Sequence, residues 1–174
     1  MLKYGIFNLK EHCKLQPGVP LKPMLAKPTK AITEVLDRFE NKNFTCEYKY
    51  DGERAQIHFV SPDSPHQYSS SVPSVKSKKG ISAIFSRNSE DLSKKYPDIL
   101  AKLDHWVKDG TKSFVLDCET VAWDLVEKKV LPFQQLMTRK RKDVKVEDVK
   151  VKVCVFAFDI LFLNGEVSLI RYTA

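Results

Sequence analysis

The sequence predicts an α+β domain built on an antiparallel sheet, and three observations carry that prediction. Strand-like runs dominate, at residues 44–50, 53–60, 81–87, 114–123 and 150–163. Helical periodicity is confined to two short stretches, 29–40 and 97–106, so the regular strand–helix alternation of a parallel sheet is absent. Two dipeptides that favour tight reversals, Asp51-Gly52 and Asn164-Gly165, sit beside strand-like runs. A chain of 174 residues has room for one ordinary domain. Its 43% hydrophobic and 29% charged content excludes wholesale disorder and a fibrous repeat.

Taken in order, residues 1–28 are irregular, because Pro17, Pro20, Pro23 and Pro28 forbid a continuous helix. An extended segment running over a surface is expected there. In 29–40, Ile32, Val35, Leu36 and Phe39 make one apolar stripe, with Thr29 as N-cap. FTCEYKY, the Asp51-Gly52 pair and ERAQIHFV then read as two strands joined by a tight turn. Residues 61–79 hold seven serines and three prolines and cannot build a core, which predicts a flexible surface loop. ISAIFSR at 81–87 returns to strand. Pro97 opens a helix to Trp106 with Ile99, Leu100 and Leu103 as its apolar face. FVLDCETVAW at 114–123 is a strand carrying two acids, with 130–133 as its partner. KVKVCVFAFDILFL at 150–163 is the strongest strand signal and ends at Asn164-Gly165. Only a short final strand can follow, so the sheet edge is expected to be unfinished and the chain to be a fragment or a truncated product.

The cysteines Cys13, Cys46, Cys118 and Cys154 form no C-x-x-C pair, and the histidines do not cluster, so no structural zinc site is expected. Widely spaced cysteines in apolar contexts read as reduced core residues of an intracellular protein. No run of ~18 apolar residues occurs, so no membrane partner is expected. Lys and Arg number 29 against 22 Asp and Glu, a net charge of +7 that weakly favours a polyanionic partner.

Lys49 stands beside a glycine turn. It is a nucleophile if its amine is partly deprotonated by burial or by cations such as Arg54 and Arg87, and a solvated lysine otherwise. Strand alternation places Glu47 and Lys49 on one face, with Cys46, Tyr48 and Tyr50 on the other. Asp117 and Glu119 share a face by the same parity. Phe156, Phe158 and Phe162 read as strand core, and Arg139-Lys140-Arg141-Lys142 as a solvated basic face.

CEYKYDGERAQIH at 46–58 resembles the signature of the ATP-dependent polynucleotide ligases, within the covalent nucleotidyltransferases, and the full string is similar to the eukaryotic DNA ligase I type. PLKPMLAKPTKAITEVLDRFE, FSRNSEDLSKKYPDI, FVLDCETVAWD, PFQQLMTRKRK and VCVFAFDILFLNGE follow the family's order, so the resemblance covers roughly residues 11–170, apart from the serine-rich insertion 61–79. It implies an ATP-grasp-like adenylation fold, incomplete at its C-terminus, over 23–174, interrupted by the flexible loop 61–79 that composition gives, after a lead-in of 1–22 that ends a DNA-binding domain or linker. By resemblance, Lys49 takes AMP from ATP and Glu47 reads the adenine amino group. Arg54 lies near the ribose and phosphate, and Arg87 is the second pocket arginine. Glu119 binds the ribose and helps place Mg²⁺, and Phe158 stacks on adenine. The family's later motifs, a second metal-binding glutamate and two phosphate-contacting lysines, fall beyond residue 174. The implied activity is ATP-dependent sealing of nicked double-stranded DNA in replication, repair and recombination, by a nuclear monomer. Two alternatives stand beside it: an inactive truncated product that binds DNA or protein, and an mRNA capping guanylyltransferase or RNA ligase.

Overall fold

The computed structural model describes residues 13–69, 74–140 and 144–167. Alternating apolar and polar residues place β1 (Glu53–Val60) at the centre of a sheet. Both of its edges are taken, by β3 (Ile81–Ser86) and β4 (Ser113–Asp124). β2 (Val75–Lys76) extends the β3 side; β6 (Val153–Leu163) and β7 (Glu166–Val167) extend the β4 side, giving the order β2-β3-β1-β4-β6-β7. β5 (Lys129–Val130) pairs with the far end of β4. Every pairing is antiparallel, as an α+β reading requires. The Asn164-Gly165 turn joins β6 to β7 with positive φ at both residues, 49° and 97°, the backbone that a two-residue hairpin needs.

Among the described residues the α-helices are α1 (Ile32–Phe39), α2 (Pro97–Trp106) and α3 (Phe133–Met137), with a 3-10 turn at Val146–Asp148. α2 buries Ile99, Leu100 and Leu103 against Ala55, Ile57 and Phe59 of β1, and Leu136 of α3 joins the same core. Each such side chain contributes ~1.5–3 kcal/mol relative to exposure. The opposite face is covered by the proline-rich lead-in. Leu15 and Leu21 pack on Val115, Leu161 and Phe162. The Gly18 N–H donates to His58 Nδ1 at 2.9 Å, and the Leu21 N–H donates to Gln56 Oε1 at 2.9 Å.

Several sequence expectations change. Residues 43–50 form no strand, and Asp51-Gly52 is no hairpin turn. The reason lies in β1: with β3 on one edge and β4 on the other, a segment doubling back at Gly52 finds no edge to pair with. α1 starts at Ile32 with Ala31 at its N-cap position and no side-chain cap, so Thr29 does not cap it. Its stripe buries nothing among the described residues, with Ile32 and Leu36 exposed by 75% and 56%, and Phe39 meets Phe44 at 5.4 Å. Within 61–79, Val75–Lys76 pair with β3, and the Ser69 N–H donates to Pro17 O at 3.1 Å, so parts of this loop are tied to the fold. Of the 130–133 region, Val130 pairs with Trp123 and the Leu131 N–H donates to Ala122 O of β4 at 2.8 Å, and the pairing stops there because Phe133 already begins a helix. Cys118 is buried, which pushes its thiol up to about 12, and Cys154 is half-buried. Cys13 and Cys46 are exposed, because each lies in a segment outside the sheet. Arg139 is no surface cation. It is 5% exposed, donates to Lys95 O and Val151 O at 3.0 and 3.1 Å, and pairs with the Asp98 carboxylate. Lys140 is exposed; Arg141 and Lys142, like the chain end after Val167, lie outside the described residues.

Candidate active site

One cleft of about 780 Å³ opens where the stretch following the lead-in, the segment before β1, the turn after β3 and the ends of β4 and β6 meet. Met24, Leu25 and Ala26 line it from the first of these, and Arg87, Asn88 and Glu90 from the turn. Glu47, Lys49, Arg54, Arg87, Glu119 and Phe158 all line it, so the structure gathers all six sequence candidates. Alternation is not the cause for Glu47 and Lys49, since Tyr48 and Tyr50 line the same cleft. The segment 43–50 reaches it as irregular backbone.

Three attachments fix that segment at its C-terminal end. The Tyr50 ring stacks on Phe156 of β6, centroids 3.8 Å apart and planes 13° off parallel. The Gly52 N–H donates to the Glu119 carboxylate. Glu53 then begins β1 opposite Thr120. Lys49 and Glu47 are exposed.

Antiparallel register explains the charged part of the cleft. Arg54 lies opposite Glu119, and Gln56 opposite Asp117, so Arg54, Asp117 and Glu119 share one face. The guanidinium makes a forked pair with Asp117, Nε to Oδ1 at 2.9 Å and Nη2 to Oδ2 at 2.5 Å. That bond raises the Arg54 pKa further above its already high ordinary value. Burial lifts the Glu119 carboxyl above the usual carboxylate range, and the nearby Arg54 charge pulls it partly back.

Phe158 departs from the strand-core reading. Cys118 pairs with Ala157 and Asp117 with Asp159, so Phe158 is an extra residue in a β-bulge. The bulge turns its ring to the cleft, where it is 40% exposed and the Arg54 guanidinium carbon lies 5.2 Å from its centroid. Phe162 is core, and Phe156 carries Tyr50. An exposed ring beside an arginine and a lysine can stack a planar base while cations meet its phosphates.

The cleft lines more acids than bases: Glu47, Asp51, Glu53, Glu90 and Glu119 against Lys49, Arg54 and Arg87. A polyanion entering it needs added positive charge. Among the described residues no three His, Cys, Asp or Glu side chains cluster as a cage. One half-buried carboxylate, Glu119, beside Arg54 in an open cleft is a donor of the kind that suits a hard divalent ion keeping its waters.

Sequence reasoning missed Tyr50 and the Arg54–Asp117 pairing. Strand alternation assigns Tyr50 to the face away from Lys49, and its partner sits on a strand late in the chain. The shared parity of Asp117 and Glu119 was the available signal for the second.

Residues 23–174 match the family model described as the ATP dependent DNA ligase domain. DNA ligase 1 of Schizosaccharomyces pombe is 54% identical over 166 residues, 95% of this chain and 19% of that protein. DNA ligase 1 of Saccharomyces cerevisiae is 53% identical over 167 residues, 95% of this chain and 20% of that protein. The chain thus spans about a fifth of the length of these relatives. Among solved structures, the ligase domain from M. tuberculosis LigD aligns with 70% of this chain and 30% of that chain, at 23% identity and a TM-score of 0.45.

Proposed function

The chain belongs to the ATP-dependent DNA ligase domain family, and from that premise we propose that it forms the lysine-adenylating part of a DNA ligase. The observation that carries the proposal is the single cleft shared by Lys49, Glu47, Arg54, Arg87, Glu119 and Phe158.

The chemistry follows from those groups. The Lys49 amine, once deprotonated, attacks the α-phosphorus of ATP. A P–N bond forms, the P–O bond to the β-phosphate breaks, and pyrophosphate leaves. Phe158 stacks the adenine and Glu47 accepts from its amino group. Arg54, held by Asp117, and Arg87 meet the ribose-phosphate oxygens. Glu119 is the residue that would hold Mg²⁺. Bound there, the ion would neutralise phosphate charge and orient the triphosphate. AMP then passes from Lys49 to the 5′-phosphate of nicked duplex DNA, and the 3′-hydroxyl expels it as the strand closes. The reading extends to a monomer working in the nucleus, in replication and repair; a stable dimer in sedimentation, or a tagged full chain excluded from nuclei, counts against those parts.

The test is covalent labelling. The full chain with Mg²⁺ and ATP labelled at the α-phosphate should retain label after denaturation, and Lys49→Ala should retain none. Equal label on Lys49→Ala, or preference for GTP over ATP, overturns the proposal.

A further inference from the structure

Lys95 is a buried cation outside the six-residue site. Its side chain is 5% exposed, and its Nζ lies 2.7 Å from Glu53 Oε2. The same carboxylate oxygen accepts the Tyr96 hydroxyl. The fully buried Tyr96 ring has the Lys95 Nζ at 5.4 Å and the Arg139 guanidinium carbon at 4.7 Å from its centroid. Arg139 donates to the Lys95 carbonyl at 3.0 Å and pairs with Asp98. Two cations, two carboxylates and a phenol are thus locked together beneath the start of β1.

Such a cluster is not a cheap way to stabilise a core. Each buried ion carries a desolvation penalty, and well-packed apolar residues often do as well or better. The position of Glu53 supplies another role. Glu53 lines the cleft, begins β1 and directly follows Gly52, whose N–H holds Glu119. The residues before it, Lys49 among them, have no ladder hydrogen bonds to fix their backbone. With the Tyr50–Phe156 stack, whatever immobilises Glu53 therefore helps to set the point from which Lys49 projects.

Taking Lys49 as the nucleophile proposed above, we propose that Lys95 is a positioning residue for the adenylation step. It acts through Glu53, whose clamped carboxylate fixes the backbone of residues 49–52 at the cleft. The Tyr96 hydroxyl shares the clamp. Lys95 itself does not line the cleft.

The decisive variant is Lys95→Met in the full chain, which keeps the length of the side chain and removes the charge. Amide exchange at residues 50–53 should accelerate ~10-fold or more while β4 and β6 amides keep their protection. The single-turnover labelling rate at saturating ATP should fall ~10–100-fold, the scale on which a small misplacement of a reacting group is felt. The ATP concentration giving half that rate should change less than ~3-fold, because the base and phosphate contacts remain. Adding Glu53→Gln to Lys95→Met should recover most of the rate, since a neutral amide still accepts from Tyr96 and needs no cation. Unchanged exchange and rate in Lys95→Met overturn the proposal. So does a rate loss that tracks a protein-wide loss of protection, which marks a structural role only. A well-folded wild-type chain that takes no label overturns the nucleophile reading instead, and the local exchange result then decides the clamp by itself.

Discussion

At the scale of single residues, Gly52 has almost no room for a side chain. A Cβ there would lie 2.3 Å from the Thr120 carbonyl oxygen and 2.9 Å from Val121 Cγ1. Thr120 is a fully buried residue of a strand paired on both sides, so it cannot retreat. The glycine is therefore needed for close approach of two backbones, and it donates to Glu119 as a result. Gly52→Ala is expected to cost on the order of 1–3 kcal/mol, the usual penalty of overpacking. It should also weaken lysine labelling more than its lowered urea midpoint accounts for. Wild-type midpoint and labelling would show that the contact yields freely. Phe158 gives the complementary lesson: strict period-two counting places it with Phe156 and Phe162, and two inserted bulge residues, Phe158 and Leu161, break that count.

At the scale of elements, α2 was legible because its stripe lands on a sheet. α1 shows a comparable stripe, yet its stripe meets no sheet face among the described residues. Periodicity announces an element and does not say what covers it. The run after α3 shows the reverse failure. Four consecutive cations suggest a solvated face, but Arg139 turns inward to bind the starts of α2 and of β6's approach, through Asp98, Lys95 O and Val151 O. Arg139→Met should destabilise the chain by ~3–5 kcal/mol, because it strands the Asp98 carboxylate without its partner. Chemical denaturation measures this directly, and a loss under ~1 kcal/mol would mean that Asp98 finds other compensation.

At the scale of the whole molecule, the lead-in is bound to the sheet through a neutral histidine. His58 is fully buried; its Nδ1 accepts from the Gly18 N–H, so its proton sits on Nε2, facing Gln56 Oε1 at 2.9 Å. Burial lowers its pKa from 6.5 to about 3. The unfolded chain takes up a proton near pH 6.5 and the folded chain does not until about 3. Stability is therefore fully present above about 6.5 and is lost as the pH falls toward 3, by up to ~1.4 kcal/mol per pH unit from this group. Urea unfolding at pH 7, 6 and 5 should show that slope, and His58→Gln should flatten it. An equal slope in the variant would assign the acid sensitivity to other groups.

The sequence by itself determined the antiparallel α+β class, β1, β3, β4 and β6, the Asn164-Gly165 hairpin and the helix from Pro97 to Trp106. These are local matters: a side-chain period, a turn dipeptide and a proline at a helix start act within a few residues. It also brought forward the six residues that line one cleft, through a motif order no local rule explains. The tertiary structure alone decided that 43–50 is irregular, that Phe158 sits in a bulge, that Arg139 is core, that Tyr50 stacks on Phe156, and that Lys95 is buried against Glu53. Each of these depends on a partner far along the chain. Whether a strand edge is free, or a charge is buried, is settled only when the distant partner arrives.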